Sequence, residues 1–201
     1  MKTPIKTRIS KVNFYEPVNN LPGKTSNQKN SENQVAIQFS CAYLNQFETL
    51  HHKSSKTSIA CAREVQINGF GIADFVTVAW NTTRLKTLSK LDSELFINNA
   101  RPTMRAFEFK LSNWRRALMR ASRYKFFSNV SIVVLPVEKC GTSLKYLDTF
   151  KKIRVGLWGY DKNSNRIMNY FTPKPNKAID SKHQIMALKL IASASKSLPV
   201  S

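Results

Sequence analysis

The chain has 201 residues, which is enough for one ordinary domain and too few for two comfortable ones. Its 32 lysines and arginines outnumber 12 aspartates and glutamates, for a formal net charge of +20. Such an excess repels itself unless a polyanion is near, so nucleic acid is the first partner to consider and an anionic membrane surface the second. No run approaches the roughly 18 apolar residues that a membrane span needs, so no membrane-spanning segment is predicted.

The cysteines, Cys41, Cys61 and Cys140, are odd in number and form no C-x-x-C pattern. They predict neither a disulfide framework nor a structural zinc site. The expected interpretation is small buried thiols in a reducing cytosol, and therefore a cytoplasmic protein. Residues 1–8 are positively charged but precede no apolar segment, so no secretory signal is predicted.

The first 30 residues are polar and interrupted by prolines and a glycine. They predict a mobile basic arm at 1–30, ahead of a single domain at 31–201. An amphipathic helix is predicted to begin with Ser31 as its N-cap and to end near His51, because apolar residues recur between them at helical spacing.

The rest of the chain alternates between apolar runs and turn signals such as Asn68-Gly69. The further predicted elements are strands 57–67 and 72–79, a helical insertion at 85–99, strand 105–111, helix 112–127, strand 130–136, a loop with a short helical turn at 138–149, strands 153–159 and 166–171, and helix 180–196. This order predicts an α/β fold in which a single domain has a central mixed β-sheet flanked by helices.

Charged residues interrupt two of the apolar strands. Asp74 lies inside the second strand of the hairpin, while Glu108 and Lys110 are two positions apart and therefore point to one face of a later strand. Acids in runs this apolar are costly unless something positive meets them. Two carboxylates can hold a divalent metal, and a nearby lysine can steady a water or a phosphate oxygen. A structural cross-strand pairing of the same residues is the alternative.

The helix that follows carries two stripes of side chains. One stripe is apolar and predicted to be core, and the other is basic; their members are Trp114, Ala117, Leu118, Ala121 and Tyr124, and Arg116, Arg120 and Arg123. Three cations beside a metal site would make a track for phosphates. A solvated basic face is the alternative.

From about residue 32 to residue 136 the sequence resembles the PD-(D/E)xK nuclease superfamily. The resemblance lies in Asp74, in the Glu108-Phe-Lys110 strand, in the helix from Trp114 to Tyr124 and in the strand that ends at Leu135-Pro136. It is closest to members whose helix reads roughly Trp-x-x-Ala-Leu-x-Gln-Ala-x-x-Tyr. Three features depart from the pattern: an arginine at position 120 in place of glutamine, an alanine before Asp74 in place of proline, and a long insertion before Glu108.

The resemblance implies a restriction-endonuclease-like fold and a metal-dependent deoxyribonuclease. Asp74, Glu108 and the carbonyl of Phe109 would hold Mg²⁺ or Mn²⁺. Lys110 would orient the attacking water and offset charge on the reacting phosphate. Arg116, Arg120, Arg123 and Tyr124 would contact the nucleic acid.

Many relatives add one glutamate from the first helix. Glu32 fits that habit better than Glu48, and Glu64 on the preceding strand is a weaker candidate. The expected partner is DNA, and a homodimer is suggested by analogy with enzymes that cut two strands. Two other functions stay open: a non-catalytic nucleic-acid-binding module on the same fold, and a small basic RNA-binding protein of a ribonucleoprotein particle.

Overall fold

The computed structural model describes residues 26–51, 57–81, 97–98 and 100–194. In this part of the chain, one sheet of six strands has the order β1-β2-β3-β4-β5-β6. The strands are β1 (Thr57–Ile67), β2 (Gly71–Asn81), β3 (Thr103–Phe109), β4 (Val130–Pro136), β5 (Gly156–Asp161) and β6 (Arg166–Phe171). The helices are α1 (Ser26–His51), α2 (Trp114–Tyr124), α3 (Cys140–Leu144), α4 (Leu147–Ile153) and α5 (Ser181–Ala194), with a 3₁₀ turn at Val137–Lys139.

The sheet is mixed. Strand β2 runs antiparallel to both β1 and β3, whereas β3, β4 and β5 run parallel to one another, and β6 returns antiparallel to β5. The predicted α/β fold with a central mixed sheet and flanking helices is confirmed. Because β3, β4 and β5 are parallel, their carboxyl ends lie side by side at the same end of the sheet.

Helices cover both faces of the sheet. Helix α1 contacts β2, β3 and β6, whereas α2 contacts β2, β3 and β4, and α5 contacts β1. Two separate clusters of buried side chains result, one under α1 and the other under α2 and α5. No helix within the described ranges is both long and apolar enough to span a bilayer.

Helix α2 forms where its two stripes predict a helix. The side chain of Asn113 caps it by accepting a hydrogen bond from the backbone N–H of Arg116, at 3.1 Å. The apolar stripe is buried as predicted. This burial fixes the rotation of α2 on the sheet, and so decides which of its polar residues turn toward β3.

The first helix begins earlier than predicted. Helix α1 begins at Ser26, so the assignment of Ser31 as N-cap is wrong, and the predicted boundary between arm and domain at residue 30 falls inside the helix. The end at His51 is confirmed. Residues 1–25 of the predicted arm and most of the predicted insertion at 85–99 lie outside the described residues.

The segment after β4 is more helical than predicted. Instead of a loop with one short turn, it contains the 3₁₀ turn, α3 and α4, so that Ile153 ends a helix and β5 begins at Gly156. Gly156 suits the start of this strand, because a Cβ there would lie 3.0 Å from Ile132 Cγ1 and 3.1 Å from the carbonyl oxygen of Phe171. All three cysteines are free thiols, and Cys41 is exposed, contrary to its predicted burial.

Candidate metal and catalytic site

Alternation along β3 separates its aromatic residues from its acid. Phe107 and Phe109 join the cluster under α1, whereas Glu108 turns toward α2 and its side chain is 0% exposed. Phe75 of β2 pairs with Phe107, which places Asp74 opposite Glu108. The Oδ2 atom of Asp74 accepts a hydrogen bond of 2.7 Å from the backbone N–H of Phe109. Two acids from neighbouring strands therefore meet where the β2–β3 pairing ends.

The backbone of β1 is irregular beside this position. Glu64 has a φ of 50°, in the left-handed region that non-glycine residues seldom adopt. Ala60 and Ala62 before Glu64, and Val65 and Ile67 after it, belong to the same buried cluster. The step from Ala62 to Val65 is three residues instead of two, so the alternation of side chains along β1 is interrupted at Glu64. The register places Glu64 opposite Asp74. Local strain of this kind concentrates at functional sites.

Glu108 is surrounded by groups that compensate its charge. A guanidinium nitrogen of Arg120 lies 2.8 Å from its Oε1, and the ammonium of Lys110 lies 3.6 Å from the same atom. The hydroxyl of Tyr124 hydrogen-bonds to the other carboxyl oxygen, Oε2, and also lies 2.6 Å from the carbonyl oxygen of Ile72. Both oxygens of this buried acid thus have partners within the fold.

The hydrogen bonds of Tyr124 indicate whether Glu108 carries a proton. The Tyr124 hydroxyl has one proton to donate, and a carbonyl can only accept. If that proton goes to Ile72, the hydrogen bond between Tyr124 and Glu108 needs a proton on the carboxyl group. Burial supplies the cause, since desolvation raises the pKa of Glu108 above its usual range even with Arg120 adjacent.

Asp74 shares this tendency to retain a proton. Desolvation is the largest cause that raises its pKa, and the charge of Glu108 is the second, so that the pKa reaches about 7. The N–H of Phe109 and the nearby cations act in the opposite direction but do not cancel the effect. The two acids form a pair in which both ionised forms are costly without a further positive charge.

Lys110 connects this pair to α1. Its ammonium lies 2.9 Å from Oε2 of Glu32 and its side chain is 12% exposed. The structure therefore brings Glu32, Asp74, Glu108 and Lys110 into one network. Glu64 lies on the neighbouring strand, and the side chain of Glu48 lies outside the described part. No group of three or more histidine, cysteine, aspartate or glutamate side chains with metal-binding geometry occurs within the described residues.

The four residues predicted to contact nucleic acid separate into two groups. Arg116 and Arg123 are exposed on α2. Arg120 turns toward Glu108 instead, and Tyr124 is fully buried, so it cannot offer its ring to a base. A signal for Tyr124 exists in the sequence, because a tyrosine on a buried stripe needs a polar partner for its hydroxyl. The nearest buried acid, Glu108, is that partner.

Comparison with known proteins adds no assignment: no protein-family model, no curated protein and no solved structure matches this chain. The class of protein is described by the fold and the site alone. It is an α/β protein in which two facing acids of the mixed sheet lie next to a lysine that follows β3 and to an arginine of the basic helix α2.

Proposed function

We propose that this chain is a metal-dependent nuclease of the PD-(D/E)xK type that hydrolyses phosphodiester bonds in DNA. The observation that supports the proposal is the convergence of Asp74 and Glu108, with the ammonium of Lys110 3.6 Å from Glu108. The net charge of +20 supports a polyanionic substrate. The restriction-endonuclease-like variant of the α/β fold and a cytoplasmic location belong to the same proposal.

The donor atoms fit a hard divalent cation. Asp74 and Glu108 supply carboxylate oxygens, and the carbonyl of Phe109 is the further ligand expected between them. Mg²⁺ and Mn²⁺ prefer such oxygens and retain several waters, so three protein ligands are sufficient. Burial, followed by the charge of Glu108, raises the pKa of Asp74, and a bound cation would favour its ionised form. When bound, the cation would lower the pKa of water and polarise the phosphoryl oxygen.

The chain's own residues would position the substrate. Lys110 would donate hydrogen bonds to a phosphate oxygen or to the attacking water, and Glu32 holds its ammonium at 2.9 Å. Arg120 would leave Glu108 for a phosphate oxygen once the acid has another cation. Arg116 and Arg123 are exposed and suited to the DNA backbone, where contacts fix position without reading sequence.

Cleavage of supercoiled plasmid DNA with Mg²⁺ or Mn²⁺ tests the proposal. We expect Glu108→Gln and Lys110→Ala each to slow cutting by about a hundredfold or more, because one removes a ligand and the other a positioned donor. DNA binding in EDTA should be retained in both. Asp148→Asn, an exposed acid on α4, is the matched control and should cut like the wild type. Unchanged cutting by Glu108→Gln overturns the assignment.

One observation favours a second function, a nucleic-acid-binding module without catalysis. Both oxygens of Glu108 are already bonded, to Arg120 and to Tyr124, so the fold completes the charge balance with its own groups. Calorimetric titration with Mn²⁺ separates the two functions. A nuclease should show a binding event that disappears in Asp74→Ala, whereas a binding module should show none.

A further inference from the structure

A pocket of about 280 Å³ opens beside the candidate site. It lies at the edge of the sheet where the parallel strands end, with Leu111 following β3, Pro136 ending β4 and Tyr160 near the end of β5. In open α/β sheets, ligands bind in crevices outside the carboxyl ends of the strands. The position alone therefore suits a ligand.

The pocket adjoins the candidate site along the chain. Leu111 in the pocket follows Lys110 in the chain, and Ser31 in the pocket precedes Glu32. An ion pair of 2.9 Å joins Lys110 to Glu32. A group in the pocket would consequently be the direct neighbour of a phosphate held at Lys110.

The walls combine hydrogen-bonding amides with apolar surface. Gln34 and Gln38 lie one turn apart on α1, are exposed, and carry donors and an acceptor each. Val35 and Pro136 provide apolar contact, and two exposed groups of opposite charge, Lys162 and Glu138, also line the pocket. Unstacked bases are recognised by this combination of apolar contact to the ring and hydrogen bonds to its edge.

The size of the pocket limits the ligand. Its volume lies just below the range of about 300–1,000 Å³ that is typical of small-molecule sites. It can therefore receive one nucleotide and not a stacked duplex. The cost of taking a base out of the stack is smallest when that base is already unpaired.

We infer that the pocket receives one unpaired nucleotide of the DNA strand whose neighbouring phosphate lies at Lys110. The inference rests on the proposed function and narrows its substrate to DNA that carries an unpaired position, such as a single-nucleotide bulge. Gln34 and Gln38 would bind the base edge, and Lys162 the phosphate beyond it.

The test is DNA binding without divalent metal, so that cutting does not interfere. Fluorescence anisotropy in EDTA compares a fully paired duplex with the same duplex that carries one bulged nucleotide. We expect the wild type to bind the bulged DNA about tenfold more tightly, within the effect that contacts to a single base produce. In the double variant Gln34→Ala/Gln38→Ala, this preference should disappear while affinity for the paired duplex is retained.

A matched control lies on the same helix. Gln46 is exposed, two turns beyond Gln38 and outside the pocket, so Gln46→Ala should keep the preference. A second readout places 2-aminopurine at the bulged position; its fluorescence should change on binding to the wild type and not to the double variant. Equal affinity of the wild type for both DNAs, or a preference that survives in the double variant, overturns the inference.

The outcome is separable from that of the proposed nuclease activity. If the plasmid is cut but the bulge preference is absent, only the pocket assignment fails. If the preference is present and no variant of Glu108 alters cutting, the pocket assignment stands and the catalytic assignment fails.

Discussion

Both faces of the sheet bury apolar clusters, but strand β3 contributes aromatic rings to one face and a buried acid to the other. Under α1, the ring of Phe39 lies 5.0 to 6.3 Å, between centroids, from five other aromatic rings, those of Tyr43, Phe107, Phe109, Trp158 and Tyr160. Under α2, the residue between two of these phenylalanines, Glu108, is equally buried but bonded to Arg120 and Tyr124.

The aromatic cluster stabilises the fold, whereas the acid pair is suited to function and lowers stability. Aromatic burial stabilises the fold, since each ring removes a large apolar area from water. The acid pair does the reverse, because raised pKa values mean that the ionised acids are less stable in the folded protein than in the unfolded chain. The apolar clusters on the two faces thus offset the cost of retaining acids that disfavour folding.

Phe39→Ala tests the aromatic face most directly. The residue is fully buried, so we expect the free energy of unfolding to fall by about 3–5 kcal/mol through lost burial and a residual cavity. Urea denaturation measures it. Ile37→Ala, on the same helix but 44% exposed, should change the value by no more than about 0.5 kcal/mol. Similar costs for the two variants would show that the rings do not dominate stability.

Asp74→Asn tests the opposite face through pH. The folded protein holds this proton up to about pH 7, whereas the unfolded chain releases it near 3.8. Between these values the folded state binds more protons, so the free energy of unfolding contributed by Asp74 falls as pH rises. Asparagine removes this fall, and urea denaturation in EDTA from about pH 4 to about pH 8 should show a flatter profile than the wild type.

Asp161, at the end of β5, provides a control of opposite sign. The hydroxyl of Ser164, followed by the N–H of Asn163, lowers the pKa of Asp161. Its contribution to stability is present above the unfolded pKa and is lost as pH falls. Asp161→Asn should therefore leave the loss between about pH 4 and about pH 7 unchanged. A wild-type profile that Asp74→Asn leaves unchanged would contradict the assigned role of Asp74.

Arg120→Gln tests whether the arginine competes with a divalent cation for Glu108. The guanidinium occupies Oε1 of Glu108 at 2.8 Å, so a divalent cation must compete with it. We expect Mn²⁺ to bind the variant about tenfold more tightly by calorimetry, equivalent to about 1.4 kcal/mol. Arg116→Gln, one turn away and exposed, should bind Mn²⁺ like the wild type. Weaker binding by Arg120→Gln would show that the arginine supports the cation and does not compete with it.

The exposed arginines should give the smallest effect. Arg116→Ala and Arg123→Ala should each weaken DNA binding uniformly and reduce the slope of log affinity against log salt by about one. Anisotropy titrations at several salt concentrations measure the slope. Lys189→Ala, on α5, removes the same charge elsewhere and should leave the slope unchanged. An equal reduction of the slope by Lys189→Ala would show that the DNA-binding surface is not confined to α2.

Several parts of the fold follow from local patterns in the sequence. The bounds of β1, β4 and β6 agree with the prediction, because each strand is an apolar or β-branched run with turn residues at its ends. The same dependence on apolar patterns explains why the predicted start of α1 is too late. Residues 26–30 contain no apolar side chain, so no buried stripe could be recognised there.

The candidate site can be predicted from the sequence only in part. Asp74, Glu108 and Lys110 are brought together because a hairpin and strand alternation already determine which residues share a face. The sequence places Arg120 on the basic stripe and Tyr124 on the apolar one, and both are predicted to contact nucleic acid. Their contacts with Glu108 could not be predicted, because the sequence gives the stripes of a helix but not its rotation over the sheet. The pocket combines one helix with the ends of three strands, and no local pattern indicates that they meet.

The bond between Lys110 and Glu32 joins residues 78 positions apart. It forms only after α1, the β1–β2 hairpin and β3 have assembled, and contacts across such a long loop are entropically costly to make early in folding. Helix α1 also carries Phe39, which packs against Phe107 and Phe109 of β3. The direction of the lysine therefore depends on the same helix that closes the aromatic cluster.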